Sequence, residues 1–228
     1  AGGGHGPPGP RGAPAGPAPS PQGAFTEMVR LTCEAKMEAA ADYVECIILS
    51  GSRFLLFAHH HAMLDALEAR LVRLGARYFR IDGSTPQAQR AERVEEFQAG
   101  ESVQVALLSI AACGQGLNMQ SVSTVVFAEL HWVVGQMLQA EDRVHRVGQA
   151  SSVNIQYLIA PGTLDEVMYE VLKQKHLDTT ATLDGRRQPL HLEAADPSAW
   201  RGPLRKKPRW RALSLRRPPQ GGGGGGGG

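Results

Sequence analysis

VQVALLSI, from Val103 to Ile110, is an almost unbroken apolar run of strand length, and its character decides the fold. A strand with one wet face alternates polar and apolar side chains, whereas a run that is apolar throughout is covered on both sides. Before it stand the helix QAQRAERVEEFQ (Gln87–Gln98) and the strand-like RYFRI (Arg77–Ile81). Further back, the helix HAMLDALEARLVRLG closes at Gly75 and follows the short apolar run RFLLFA (Arg53–Ala58). The first helix of the series, EMVRLTCEAKMEAAADYVECIILSG, has helical spacing at Met28, Leu31, Ala35, Ala39 and Tyr43 and ends at Gly51. After Ile110 come a loop, the strand STVVFAE, a second loop, a helix carrying two arginines, the strand SVNIQYLI and a last helix from Thr163. Strands and helices in alternation predict an α/β fold, a parallel sheet with helices on both faces. Ligands of such sheets gather at the loops leaving the carboxyl ends of the strands.

Composition limits this fold to the middle of the chain. Residues 1–24 are nearly all Gly, Pro, Ala and Ser, with too little apolar area to offset the entropy of ordering. Residues 25–180 are rich in Val, Ile, Leu, Ala and Phe and long enough for one core, and residues 181–228 form a basic, then poly-Gly tail expected to be mostly disordered. The net charge of +2 hides an asymmetry. Beyond Trp200 there are eight basic residues and no acids, while residues 1–200 hold 16 basic and 22 acidic groups. The tail suits nuclear import, contact with nucleic acid, or plain solvation. Cys33, Cys46 and Cys113 are too far apart for a CxxC motif, and a reducing compartment is the simplest setting for an odd count. No stretch approaches the roughly 20 apolar residues of a membrane span, so no membrane partner is expected.

Three loops at strand ends hold candidate residues. In IDGSTPQAQR, Thr85 is placed to cap a helix with Pro86 at its first position. Such a helix start either is only a cap or offers unpaired N–H groups to a phosphate. In LLSIAACGQGLNMQS, Gly114 and Gly116 permit close backbone approach, but Met119 stands where a dinucleotide fingerprint needs its third glycine. In AELHWVVGQ, Trp132 is either a packing anchor or a side chain that stacks on a base or enters a groove. The run His59, His60, His61 suggests no metal site, since adjacent helical positions diverge by about 100°. No GxSxG nucleophile motif occurs.

The arginine helix, QAEDRVHRVGQ (Gln139–Gln149), sets Gln139, Arg143 and Arg146 on one stripe and Met137, Ala140, Val144 and Val147 on an apolar one. Asp142 lies four residues before Arg146, so a surface ion pair is one explanation of that arginine. Arg143 has Gln139 at that offset, and two guanidiniums on one stripe suit planar recognition of a phosphate or carboxylate.

This helix resembles the last conserved motif of superfamily-two helicases, Q-x-x-x-R-x-x-R, with the HR-x-GQ ending of the Snf-type DNA translocases. RFLLFAHHHAMLDAL, RIDGSTPQAQR, LLSIAACGQGLNMQSVSTVVFAELHW and SSVNIQYLIAPGTLDEVM follow in the order of that family's second RecA-like lobe, from about Gly51 to Lys175. FAHH, VVFAEL and QAEDRVHR are similar to its annealing-helicase branch. The resemblance implies a RecA-like fold, a nuclear setting in DNA repair, and an ATP-driven motor that rewinds DNA and remodels stalled forks. It implies Arg146 as the arginine finger, Arg143 as its partner, Gln139 as their support and Gly116 in the loop that couples nucleotide to DNA. It assigns Ser84, Thr85 and Ser109 to the DNA backbone and Trp132 to the neighbourhood of the minor groove. ATP and Mg²⁺ would be bound mainly by an N-terminal RecA-like lobe outside this chain. Implied partners are that lobe, double-stranded and forked DNA, and replication-clamp or other repair proteins reached through further regions.

The chain departs from the family where Trp132-Val133-Val134 replaces the usual Trp-Asn-Pro and where Cys113 replaces a common glycine. Nothing matches GxxxxGK[ST], and Asp165-Glu166 opens a helix rather than ending a strand. Two other readings stay open, a non-catalytic DNA- or protein-binding module and the lobe of a chromatin-remodelling ATPase.

Overall fold

The computed structural model describes residues 20–100, 102–114, 119, 122–131, 133–144, 153–184, 192–194 and 211–217. Helix α1 (Pro21–Leu49) starts where the Ser20 side chain accepts from the Gly23 N–H at 3.2 Å and Pro21 supplies a preset φ. It ends at Ser50 with Gly51 at φ 74°, a left-handed residue that stops the ladder. Strand β1 (Phe54–Ala58) leads into α2 (His61–Arg73), which Gly75 closes in the same way at φ 65°, with Ala76 N donating to Leu71 O. Then come β2 (Tyr78–Ile81), α3 (Gln87–Ala99), β3 (Val105–Ser109), a 3-10 turn (Ile110–Gly114), β4 (Thr124–Phe127), α4 (Val134–Val144), β5 (Val153–Ile159) and α5 (Leu164–Asp184).

Five parallel strands pair in the order β2-β3-β1-β4-β5. Every residue of β1 and β3 is buried, as their continuous apolar sequences require. Leu55 and Phe57 face one side, where Phe57, Phe127 and Tyr157 stack at 4.8 and 5.3 Å. Val94 and Phe97 of α3, Met137 and Ala140 of α4 and Met168 of α5 cover that side. Phe54 and Leu56 face the other, under Ala40 and Val44 of α1 and Leu64 and Leu67 of α2. The chain is therefore an α/β protein with a RecA-like parallel sheet.

Several expectations need correcting. The buried stripe of α1 is Thr32, Cys33, Lys36, Ala40, Ala41, Val44 and Ile48, whereas Met28 and Leu31 are about half exposed and Ala35 is exposed. Spacing alone misplaced the stripe because Lys36, which reads as a surface residue, is buried against Asp165. The helix α1 begins four residues before the expected start of the folded region, α5 runs past residue 180, and strands β6 (Leu192–Ala194) and β7 (Arg211–Arg217) occur in the expected tail. β7 pairs antiparallel with β5, with Leu213 opposite Tyr157 and Leu215 opposite Ile155, and β6 pairs with β7. This covers the edge of β5 that would otherwise offer unpaired backbone groups. Among the described residues, no helix is long and apolar enough to cross a membrane.

Candidate functional site

Adjacent strands β1 and β4 send their helices to opposite faces, α2 to one and α4 to the other. Their carboxyl ends thus flank a topological switch point, where open α/β sheets form a ligand crevice. The chain after β1 is His59-His60, and after β4 it is Ala128-Glu129-Leu130-His131.

Glu129 holds these two segments together. Its Oε2 accepts from the His59 and His60 N–H groups at 2.8 and 2.9 Å, and its Oε1 faces the His60 Nδ1 at 2.7 Å. Burial pushes this carboxyl up, but the ring and backbone bonds of His60, helped by His59, hold it near 2. The bond to Glu129 in turn raises His60. Burial, with the imidazoles of His131 and His60, depresses His59 to about 4. His59 meets His131 edge to face at 4.3 Å, and its Nδ1 is buried with no hydrogen-bond partner among the described residues. Beneath the crevice, buried Lys36 donates to Asp165 at 2.7 Å and to Leu158 O at 3.1 Å. His59 and His60 precede α2 rather than lying in it, so the histidine run is not the row of helical positions that the sequence suggested.

The β2–α3 turn is built locally. Asp82 is buried and accepts from the Ser84 N–H at 3.0 Å, the Ser84 hydroxyl at 2.6 Å and the Arg80 Nε at 2.9 Å. The Ser84 hydroxyl, against burial and with help from its own N–H and Arg80, holds Asp82 near 2. Arg90 bridges the carbonyls of Asp82 and Thr85 at 2.7 and 2.8 Å. Thr85 does not cap the helix. Its Oγ1 accepts from the Asp82 N–H at 3.1 Å, closing the turn, and α3 starts one residue later with Pro86 as its N-cap and no side-chain cap bond. A proline N-cap leaves the first N–H groups of α3 without a side-chain cap acceptor.

Of the other candidates, Ser109 is buried at the end of β3, and Gln139 is exposed on α4 while Met137 and Ala140 are buried. At these three residues the polar and apolar stripes of that helix divide as its sequence indicates. Arg143 belongs to α4, but its side chain, with Gly116, Trp132 and Arg146, lies outside the described residues. Reading the sequence missed Glu129, Lys36 and the buried Glu141, which accepts from the Tyr157 hydroxyl at 2.5 Å. A signal existed for Glu129, an acid two residues after the largely buried strand TVVF.

Known proteins share the sequence and the fold of this region. The model of the helicase conserved C-terminal domain matches residues 35–148. The mouse "DNA annealing helicase and endonuclease ZRANB3" is 46% identical over 179 residues, 78% of this chain and 17% of that protein. The Xenopus tropicalis "SWI/SNF-related matrix-associated actin-dependent regulator of chromatin subfamily A-like protein 1" is 46% identical over 145 residues, 63% of this chain and 15% of that one. The chain thus spans about a sixth of the length of these relatives. A crystal structure of the C-terminal part of the Fun30 ATPase domain superposes with a TM-score of 0.54 at 29% identity, over 60% of this chain and 45% of that chain. With half of its length matched and a RecA-like sheet beneath the match, the chain belongs to the helicase conserved C-terminal domain family, in company with Snf2-type relatives.

Proposed function

We propose that this chain is the second motor lobe of a nuclear, ATP-dependent DNA annealing helicase that rewinds duplex DNA and remodels stalled replication forks. The observation that carries the reading is α4, which leaves the switch-point strand β4 with Gln139 exposed and Arg143 one turn further on the same stripe. The name of the mouse relative supports annealing, and that of the Fun30 ATPase domain supports ATP use.

The residues fit the phosphates of ATP better than its magnesium. Two acids of this region whose side chains are described are committed, Glu129 to the β1–α2 loop and Glu141 to Tyr157, whereas the two arginines of the stripe offer donors only. Arg143 and Arg146 would meet the terminal phosphates, with Gln139 orienting them, and Mg²⁺ would be held by a P-loop lobe. ATP supplies the phosphoanhydride whose cleavage drives movement. Arg146 stabilises negative charge developing on the transferred group, and Arg143 fixes the approach of that group to it. Ser84, Thr85 and Ser109 contact the DNA backbone, Trp132 lies near the minor groove and Gly116 couples the two sites, positioning duplex without reading its sequence.

The test is DNA-stimulated ATP hydrolysis by a motor in which this lobe is joined to a P-loop lobe. Arg146→Ala is expected to lower turnover by about 10³–10⁵. Trp132→Ala in the same motor raises the DNA concentration needed for half-maximal stimulation. Equal turnover in Arg146→Ala and parent would sink the finger assignment and leave a module that docks on DNA without hydrolysis.

A further inference from the structure

Cys33, His60 and Glu129 come from α1, the β1–α2 loop and the segment after β4, yet one donor atom from each lies within 4.8 Å of the others. Cys33 and Glu129 are each 3% exposed, and His60 leaves one side open to solvent. We propose that these three side chains form a site for a divalent transition-metal ion of the zinc type, with water as its fourth ligand. The site is independent of the motor function proposed above.

The donor set is the first reason. Thiolate, imidazole and carboxylate are the ligands of tetrahedral zinc, and three protein ligands with one open position are the pattern of a non-structural site. Bond lengths of about 2.0–2.3 Å place ligand atoms roughly 3.3–3.6 Å apart around such an ion. The His60–Glu129 pair, now at 2.7 Å, must open by roughly half an ångström, and the widest separation must close by roughly one. Small side-chain rotations achieve both.

The orientation of Glu129 is the second reason. Two backbone N–H groups grip Oε2, which leaves Oε1 directed at His60 as the ligand atom. Ligating carboxylates are commonly fixed by such outer bonds. Space is the third. A cavity of about 10 Å³ adjoins Cys33 and Glu129, lined also by Thr32, Lys36 and Asp165, and this is close to the room one water needs. Charge is the fourth. Lys36, the cation on this cavity, is already matched by Asp165 at 2.7 Å, so a dication meets the two negative charges of thiolate and carboxylate. Binding replaces the thiol proton of Cys33, released to solvent, and the Nδ1 proton of His60, released from an imidazolium or exchanged for one on Nε2 in a neutral ring, and no electron changes hands. The ion would clasp α1 to both loops of the switch point.

Cobalt(II) added to the 228-residue chain, under a non-thiol reductant, tests this. One equivalent should produce a thiolate-to-cobalt charge-transfer band with tetrahedral ligand-field bands, and zinc should displace both. Cys33→Ala should abolish the charge-transfer band. His60→Gln changes a partly exposed side chain and should spare the fold. It should weaken binding by at least the roughly 10–100-fold that loss of an outer-shell partner costs. His61→Ala, at the exposed neighbour, should leave the spectrum unchanged. The proposal is overturned if a folded parent, judged by far-ultraviolet circular dichroism, gives no charge-transfer band, if that band persists in Cys33→Ala, or if His60→Gln binds as tightly as the parent.

Discussion

Two buried acids stand at the carboxyl end of one sheet, Asp82 after β2 and Glu129 after β4, and hydrogen bonds hold both near 2. Asp82 finds its partners within three residues, Arg80 and Ser84, and bends a single turn. Glu129 finds its partners 69 and 70 residues away and joins two loops that the chain alone would not bring together. Lys36 and Asp165, 129 residues apart, do the same for α1 and α5 directly below. Local pairs close small loops at little entropic cost, while distant ones form only once the sheet has assembled. The first kind shapes a surface, and the second measures how well the core beneath the crevice has formed.

The largest effect expected of this contrast is in the distant set. Lys36→Met keeps the apolar stem but strands a buried carboxylate, and breaking a buried pair from one side costs about 3–5 kcal/mol. Urea unfolding should show this as a lower midpoint at unchanged slope. Adding Asp165→Leu should recover most of the loss but not all, because the Ala160 N–H gives up its 3.0 Å bond to Asp165. A single variant with no loss would mean that the pair is solvated and that the division between local and distant pairs fails here.

Next comes the direct contrast of the two acids, in metal-chelated buffer. Glu129→Ala leaves the His59 and His60 amides without their acceptor, and at about 1–3 kcal/mol for each unsatisfied donor the cost is roughly 2–6 kcal/mol. Asp82→Ala should cost only about 1–2 kcal/mol, because Arg80 keeps Asp65 and Glu68 and water can reach exposed Ser84. Equal losses would show that sequence distance between partners has no bearing on what the bonds contribute.

The same contrast explains what could be read from the sequence. The strands FLLFA and VALLS announce a doubly covered sheet because each residue must be apolar to be there. The turn DGST is legible as a turn because its groups bond within a few residues, although the exchange of Thr85 from helix cap to turn closure was not. The stripes of α4 are legible because helical period alone sets them. Lys36, Cys33, His60 and Glu129 are not. Their positions follow from the parallel pairing of β1 with β4 and the passage of α1 beside α5, and nothing local marks a lysine for burial. β7 escaped notice because its neighbours in the chain read as a solvated basic tail, while its pairing depends on the open edge of β5.

The smallest expected effect is on pH dependence, and it isolates Asp82. In the unfolded chain an aspartate takes up a proton near pH 3.9, whereas in the folded turn Asp82 stays ionised down to about 2. Between those values the unfolded state binds more protons, so stability falls as pH falls, and the contribution of this group is fully present only above the unfolded value. Asp82→Asn keeps an oxygen for the Ser84 N–H but removes the charge opposite Arg80 and the proton uptake. The stability gap between parent and variant should therefore be widest above about pH 5 and shrink steadily towards pH 2. Urea unfolding at a series of pH values measures that gap. A gap that stayed constant with pH would mean that Asp82 takes up its proton at the same pH folded and unfolded, so that neither the Ser84 bonds nor Arg80 favours its charged form.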